Sequence, residues 1–291
     1  MYFFTLQLKT SPKRLVVDVK DFDQLMEICA QTRLIMNCTG PYRLLGENVV
    51  RACAESGTDY IDICGEPAFI EQMSVKYDSI ARENGAVVVS ACGFDSVPSE
   101  LGMVFVQKWF YEDKCELDGV EAFLTFPSMG KGYSAHATTW DCAVMGFANQ
   151  GELRSIRKQL NLAKIPGKVK PRKTLGLVTD VKGVSGRAIP FMGSDASIVR
   201  RSQHRLVTTG RTDLQAARFN MYTLVETTAG LIKLLIGGFL FTCLTKFKFG
   251  QDLLCRFVSF FSFGMFTREG PSIESISGIL DFMYLWSLNL F

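Results

Sequence analysis

Between residues 15 and 110 short apolar runs alternate four times with helix-length amphipathic stretches, and this alternation confines the chain to parallel strands joined by helical crossovers. Residues 15–19 read as a first short strand ending at Asp18 or Val19. Residues 21–30 read as a helix, with Asp21 as N-cap and Phe22, Leu25, Met26 and Cys29 on one face. A strand over 34–38 precedes a helix over 43–56, apolar at Leu45, Val49, Ala52 and Cys53, with Gly57 where a C-cap glycine belongs. A strand over 60–64 precedes a helix lined by Phe69, Met73, Tyr77 and Ile80 and closed by Gly85. Residues 86–91 are apolar but for Ser90, which predicts a sheet covered on both faces. A fourth helix starts near Pro98, with Ser96 as candidate cap.

In open parallel sheets ligands sit beyond the carboxyl ends of the strands. Two unusual loops leave such ends: Thr39-Gly40-Pro41-Tyr42 and Gly93-Phe94-Asp95-Ser96. Glycine lets backbone approach a ligand, proline fixes the turn, and tyrosine offers a flat face and a hydroxyl. A single Gly-Pro turn is ordinary; two such loops in one series point to contact with a cofactor. Asp95 has two readings, helix cap or ribose contact, and capping is the plainer one. Asp62 and Glu66, four residues apart across a strand end, read as a structural pair.

Composition excludes several classes. A net charge of +3 over 291 residues is too mild to imply nucleic acid. The nine cysteines are scattered, without a CxxC pair, which suits a reducing, cytosol-facing compartment. The two histidines, His136 and His204, lack ligand spacing, so no metal site is expected. HExxH, GxSxG and Walker signatures are absent, and no catalytic residue can be assigned. Gly130-Lys131-Gly132-Tyr133-Ser134-Ala135 fits a loose G-x-G-x-x-A, but no strand ending in an acid closes the unit, so it reads as a turn.

Three segments carry a specific resemblance: Asn37-Cys38-Thr39-Gly40-Pro41-Tyr42, Gly57-Thr58-Asp59-Tyr60-Ile61-Asp62-Ile63-Cys64-Gly65-Glu66, and Gly93-Phe94-Asp95-Ser96-Val97-Pro98-Ser99-Glu100-Leu101-Gly102. Together with Asp195-Ala196-Ser197-Ile198-Val199-Arg200-Arg201-Ser202-Gln203, they make residues 13–277 resemble the saccharopine dehydrogenase-like oxidoreductases. The resemblance implies an α/β fold: an incomplete Rossmann-like parallel sheet over residues 1–112, then a partial α+β substrate or dimerisation domain over 113–291. It implies NAD(P) as cofactor, with Asp18 and Val19 near the adenine side. Thr39, Gly40, Pro41 and Tyr42 would lie along the phosphate–ribose–nicotinamide stretch, and Gly93, Phe94, Asp95 and Ser96 near the nicotinamide. The family's Gly-rich turn and usual final strands have no counterpart here. The expectation is therefore of a truncated form that binds NAD(P) weakly.

The second half changes character. Residues 154–173 hold eight basic residues and no acid, which reads as a solvated linker or, alternatively, a contact to anionic lipid. Residues 229–244 form an apolar helix about 24 Å long, short of a bilayer span and interrupted by Lys233. A second apolar run, 257–266, follows Lys246, Lys248 and Arg256. The whole of 229–266 suits a hairpin dipping into one lipid leaflet, or equally a buried core or homodimer face. Family resemblance favours the lipid surface: a lipid droplet or membrane, met from the cytosol, with a lipid-linked molecule as hydride acceptor. The alternative is a non-enzymatic lipid-surface protein that keeps the fold.

Overall fold

The computed structural model describes residues 13–94, 96–124, 135–167, 178–181, 184–211, 213–271 and 284–287. Helix α1 (Phe22–Cys29) starts where the Asp21 carboxylate accepts from the Gln24 amide at 3.1 Å. Strand β1 (Leu34–Asn37) leads into a short helix α2 (Tyr42–Leu45) and then α3 (Glu47–Ser56). The single helix expected over 43–56 is thus divided at Gly46. A Cβ there would stand 2.7 Å from Phe69 Cζ, so glycine lets Phe69 pack against the bend. α3 ends on Gly57 at φ 74°, a left-handed cap. β2 (Asp59–Asp62), α4 (Pro67–Asn84), β3 (Val88–Val89) and α5 (Val97–Glu112) follow.

β1, β2 and β3 make a parallel sheet in that order, with Ile35 opposite Tyr60 and Tyr60 opposite Val88. These three side chains face a core built from Leu25 and Cys29 of α1, Val49 and Cys53 of α3, and Phe69 and Met73 of α4. Two expectations fail here. Residues 15–19 form no strand: Val17 and Val19 pack on this core, but among the described residues no neighbour supplies a ladder of backbone hydrogen bonds, and Val16 is fully exposed. Nor is the sheet covered on both faces among the described residues. Leu34, Met36, Ile63, Val87 and Val89 are exposed, because α1, α3 and α4 all take the opposite face. α5 turns Met103 and Val106 into a different core and leaves Leu101 and Phe105 exposed.

The second half runs β4 (Gly119–Leu124), β5 (Ala135–His136), α6 (Ala137–Ala148), α7 (Gln150–Leu160), β6 (Val178–Val181), β7 (Val184–Pro190), α8 (Asp195–Thr209), β8 (Arg218–Val225), α9 (Thr228–Thr245), α10 (Lys248–Arg256), α11 (Val258–Phe261), β9 (Phe266–Thr267) and β10 (Tyr284–Ser287). A mixed sheet has the order β10-β4-β8-β7-β6, in which only β4 and β8 pair parallel. All six residues of β4 are buried, as a central strand with both faces covered requires. Val120 and Ala122 join Met103, Val106, Val199, Phe219 and Met221 in the second core.

The first part of the basic stretch is helix rather than linker, and Lys164 is exposed in the coil that follows. Arg154, Arg157 and Lys158 lie on α7, and Arg157 is anchored to Glu71 of α4 at 2.8 Å. The remaining basic residues from Lys168 to Lys173, and the turn over 130–134, lie outside the described residues.

The apolar segment forms α9, long and apolar enough to cross a membrane by length and composition alone. Phe241 packs edge-on against Trp140 and Phe147 of α6, at 5.1 and 5.2 Å between ring centres. Ile232, Leu234, Leu235, Ile236, Phe239 and Leu240 remain exposed, as do Phe257, Phe260 and Phe263 beyond α10. The basic turn expected between the two apolar runs is the amphipathic helix α10, whose Leu254 is buried.

Candidate functional site

Asp62 organises the carboxyl ends of the first sheet. It is wholly buried, and its Oδ1 accepts from the amides of Cys64 at 2.9 Å and Ala91 at 2.7 Å. Its Oδ2 accepts from the Tyr60 hydroxyl at 2.9 Å, which in turn accepts from Asn37 Nδ2 at 3.2 Å. One carboxylate therefore ties together the exits of β1, β2 and β3. Burial, reinforced by Asp62, pushes the Tyr60 phenol far above its ordinary range, so it serves as a neutral donor.

Glu66 holds the loop after β1. Its carboxylate accepts from the amides of Tyr42 at 2.8 Å and Arg43 at 3.2 Å, and from the Cys142 thiol of α6 at 3.3 Å. Burial, then Glu66, pushes that thiol up, so it too is a neutral donor. Arg43 adds an ion pair to Glu152 of α7 at 2.6 Å. The loop is thereby fixed between both halves of the chain.

The residues singled out in the sequence are distributed as follows. Asn37 Oδ1 accepts from the Thr39 amide at 3.0 Å, and the Gly40–Pro41 peptide is cis. A Cβ on Gly40 would meet only Thr138 of α6 and the Tyr42 ring, at 3.7–3.8 Å. Tyr42 does not offer its ring or hydroxyl to a ligand: it is buried, stacks obliquely on Phe69 at 5.8 Å, and donates to the Asn37 carbonyl at 2.8 Å. Gly93 lies against Ile63, the residue after β2, where a Cβ would stand 3.3 Å from its side chain, so the missing side chain serves packing. Phe94 is exposed beside it. Asp95 lies outside the described residues. Ser96 occupies the N-cap position of α5 without capping it; its buried hydroxyl pairs with that of Ser194 at 3.1 Å.

Asp18 and Val19 lie just before α1. Asp18 accepts from the Lys20 amide, and Asn48 of α3 donates to the Val19 carbonyl. His136 caps α6, its Nδ1 accepting from the Thr138 amide at 3.1 Å, in keeping with a structural histidine. Among the described residues no cluster of His, Cys, Asp or Glu could hold a metal.

The cradle suits one end of a nicotinamide cofactor better than the other. Among the described residues the amides of Gly40 and Gly93 make no hydrogen bond, and both loops carry exposed neighbours in Cys38 and Phe94. These amides can meet a ribose hydroxyl or a carboxamide. The start of α2, by contrast, already gives its amides to Glu66 and has none to offer a pyrophosphate. The sequence marks Asp62 and Glu66 as structural but not which groups they hold; an acid between Ile61 and Ile63 at the carboxyl end of β2 is the signal that marks Asp62.

Residues 6–89 match the saccharopine dehydrogenase NADP binding domain. Over 265 residues the chain is 37% identical to the human saccharopine dehydrogenase-like oxidoreductase, covering 90% of this chain and 60% of that protein. It is 36% identical over 270 residues to a lipid droplet localized protein of Caenorhabditis elegans, covering 62% of it. It is 34% identical over 281 residues to a probable mitochondrial saccharopine dehydrogenase-like oxidoreductase of Arabidopsis thaliana, again covering 62%. The chain thus spans about three fifths of the length of these curated relatives.

Proposed function

We propose, from its similarity to the saccharopine dehydrogenase-like oxidoreductases, that the chain is an NAD(P)-dependent oxidoreductase-like protein that transfers hydride to a lipid-linked acceptor. In this reading residues 1–112 carry the cofactor part and 113–291 the substrate or dimerisation part. The observation that carries it is the pair of strand-end loops with free amides at Gly40 and Gly93, braced by Asp62 and Glu66. Thr39 and Pro41 orient the first loop, and Phe94 and Ser96 flank the second. Tyr42 acts from behind, through the Asn37 carbonyl. When bound, the cofactor supplies the hydride. The chain's own residues orient the nicotinamide end and leave the pyrophosphate weakly held.

Weak binding is accordingly expected of these 291 residues. Titration with NADPH, followed by nicotinamide fluorescence, should not saturate at low-micromolar concentration. Tight binding would mean that the pyrophosphate is held by groups other than those considered.

α9 favours a second reading, of a lipid-surface protein that keeps the fold without the chemistry. Both readings put the protein on a lipid droplet or membrane, facing the cytosol, with the exposed apolar surfaces of α9 and residues 257–263 toward lipid. NADPH oxidation that depends on added lipid substrate separates the first reading from the second.

A further inference from the structure

Helices α4, α7 and α8 meet around a recess of about 190 Å³ in which charge is unbalanced. Glu71 of α4, 1% exposed, is the one carboxylate among its lining residues. Arg157 of α7 is committed to it, with Nε and Nη2 donating at 2.8–3.1 Å, and Nη2 also donates to Ser197 Oγ at 3.0 Å. Two more guanidiniums, those of Arg200 and Arg201 on α8, line the same recess. Arg201 donates to Ser74 at 3.2 Å, whereas Arg200 makes no hydrogen bond or ion pair among the described residues. Three cations therefore share one anion in a partly desolvated space, where uncompensated like charges repel strongly.

A second recess of about 450 Å³ adjoins the first and shares Leu162, Arg200 and His204 with it. Its wall carries Lys164 and Arg218 beside Ile165, Phe219 and Asn220, whose Nδ2 is buried without a hydrogen-bond partner. His204 Nδ1 is paired with the Ala163 carbonyl, which fixes that proton and leaves Nε2 for another group. Burial holds the histidine below its ordinary range, as a surplus of neighbouring positive charge also does. No residue of either recess belongs to the strand-end loops, so this groove is separate from the proposed cofactor cradle.

We propose that this groove is a binding site for an organic phosphate. Arg200, Arg201 and the Ser197 hydroxyl hold the phosphate, and the Arg157–Glu71 pair fixes the wall behind it. The adjoining recess takes the carbon part against Ile165 and Phe219, where Asn220 Nδ2 donates to an acceptor on the ligand. The first recess's surplus of two positive charges matches a phosphate dianion, and the planar guanidinium fork matches its oxygens. The phosphate can come from a soluble metabolite or from a lipid headgroup, since both present the same chemistry.

The test uses the full chain and Arg200→Gln, chosen because Arg200 has no partner among the described residues to lose. Glycerol 3-phosphate and inorganic phosphate serve as soluble probes, and phosphatidylcholine vesicles with and without phosphatidate as the lipid probe, all at matched ionic strength. The expected result is saturable binding to the parent chain with a raised Tm, and an affinity lower by about tenfold or more in Arg200→Gln. The variant without ligand should melt no lower than the parent, because a repulsion has been removed. Arg200-dependent binding of soluble probes assigns a soluble ligand; Arg200-dependent binding of phosphatidate vesicles alone assigns a headgroup. The proposal is overturned if no probe binds, if parent and variant respond alike, or if an acidic peptide binds the groove and phosphate does not displace it.

Discussion

Asp62→Ala is expected to destabilise the protein by about 3 kcal/mol or more, from the loss of three hydrogen bonds at a buried acceptor. The substitution orphans the amides of Cys64 and Ala91 and the hydroxyl of Tyr60, and none of the three has water to turn to. Each stranded donor costs about 1–3 kcal/mol. Asp62→Asn should cost less, because its remaining carbonyl oxygen can still accept from one or both amides. Urea unfolding curves of the three proteins give the comparison. Because Asp62 ties the exits of all three strands, the loss should also loosen the loops at Gly40 and Gly93. A loss below about 1 kcal/mol in Asp62→Ala would show that the strand ends are held by other contacts.

The second large effect concerns lipid. Leu235 and Phe239 of α9 are exposed and project from a helix with almost no buried residues. Seating each in lipid is worth about 1.5–3 kcal/mol, so together they should shift partitioning by about a hundredfold or more. The full chain is expected to float with liposomes or isolated lipid droplets and to resist high-salt extraction. Leu235→Lys with Phe239→Lys should move it to the soluble fraction without lowering its Tm, since neither side chain is part of a described core. Release of the parent chain by salt alone would assign the attachment to charge. A parent chain that never floats would leave α9 to be covered by protein.

Local chemistry was legible in the sequence where one residue settles the geometry. Asp21 as a cap and Gly57 and Gly85 as left-handed helix ends follow from near-neighbour rules, and the parallel pairing of β1, β2 and β3 from the strand–helix alternation. What failed depends on distant partners. Residues 15–19 have a strand's composition, but a strand exists only beside another. The apolar run at 86–91 predicts burial on both faces, yet Val87 and Val89 are exposed, because which helices cover which face is decided far along the chain. The linker reading missed Arg157 for the same reason: its partner Glu71 is 86 residues away. In the candidate site, the glycines announced close backbone approach, but not that Gly93 serves Ile63 or that Tyr42 turns inward.

The central claim is that the loops after β1 and β3 receive the nicotinamide end of the cofactor. Backbone hydrogen exchange at saturating NADPH measures it at the amides concerned. The account predicts slowed exchange at Gly40 and Gly93 and little change at α2, whose first amides are already held by Glu66. NADPH that binds while leaving both glycines unchanged, or that protects only residues away from these loops, would contradict it.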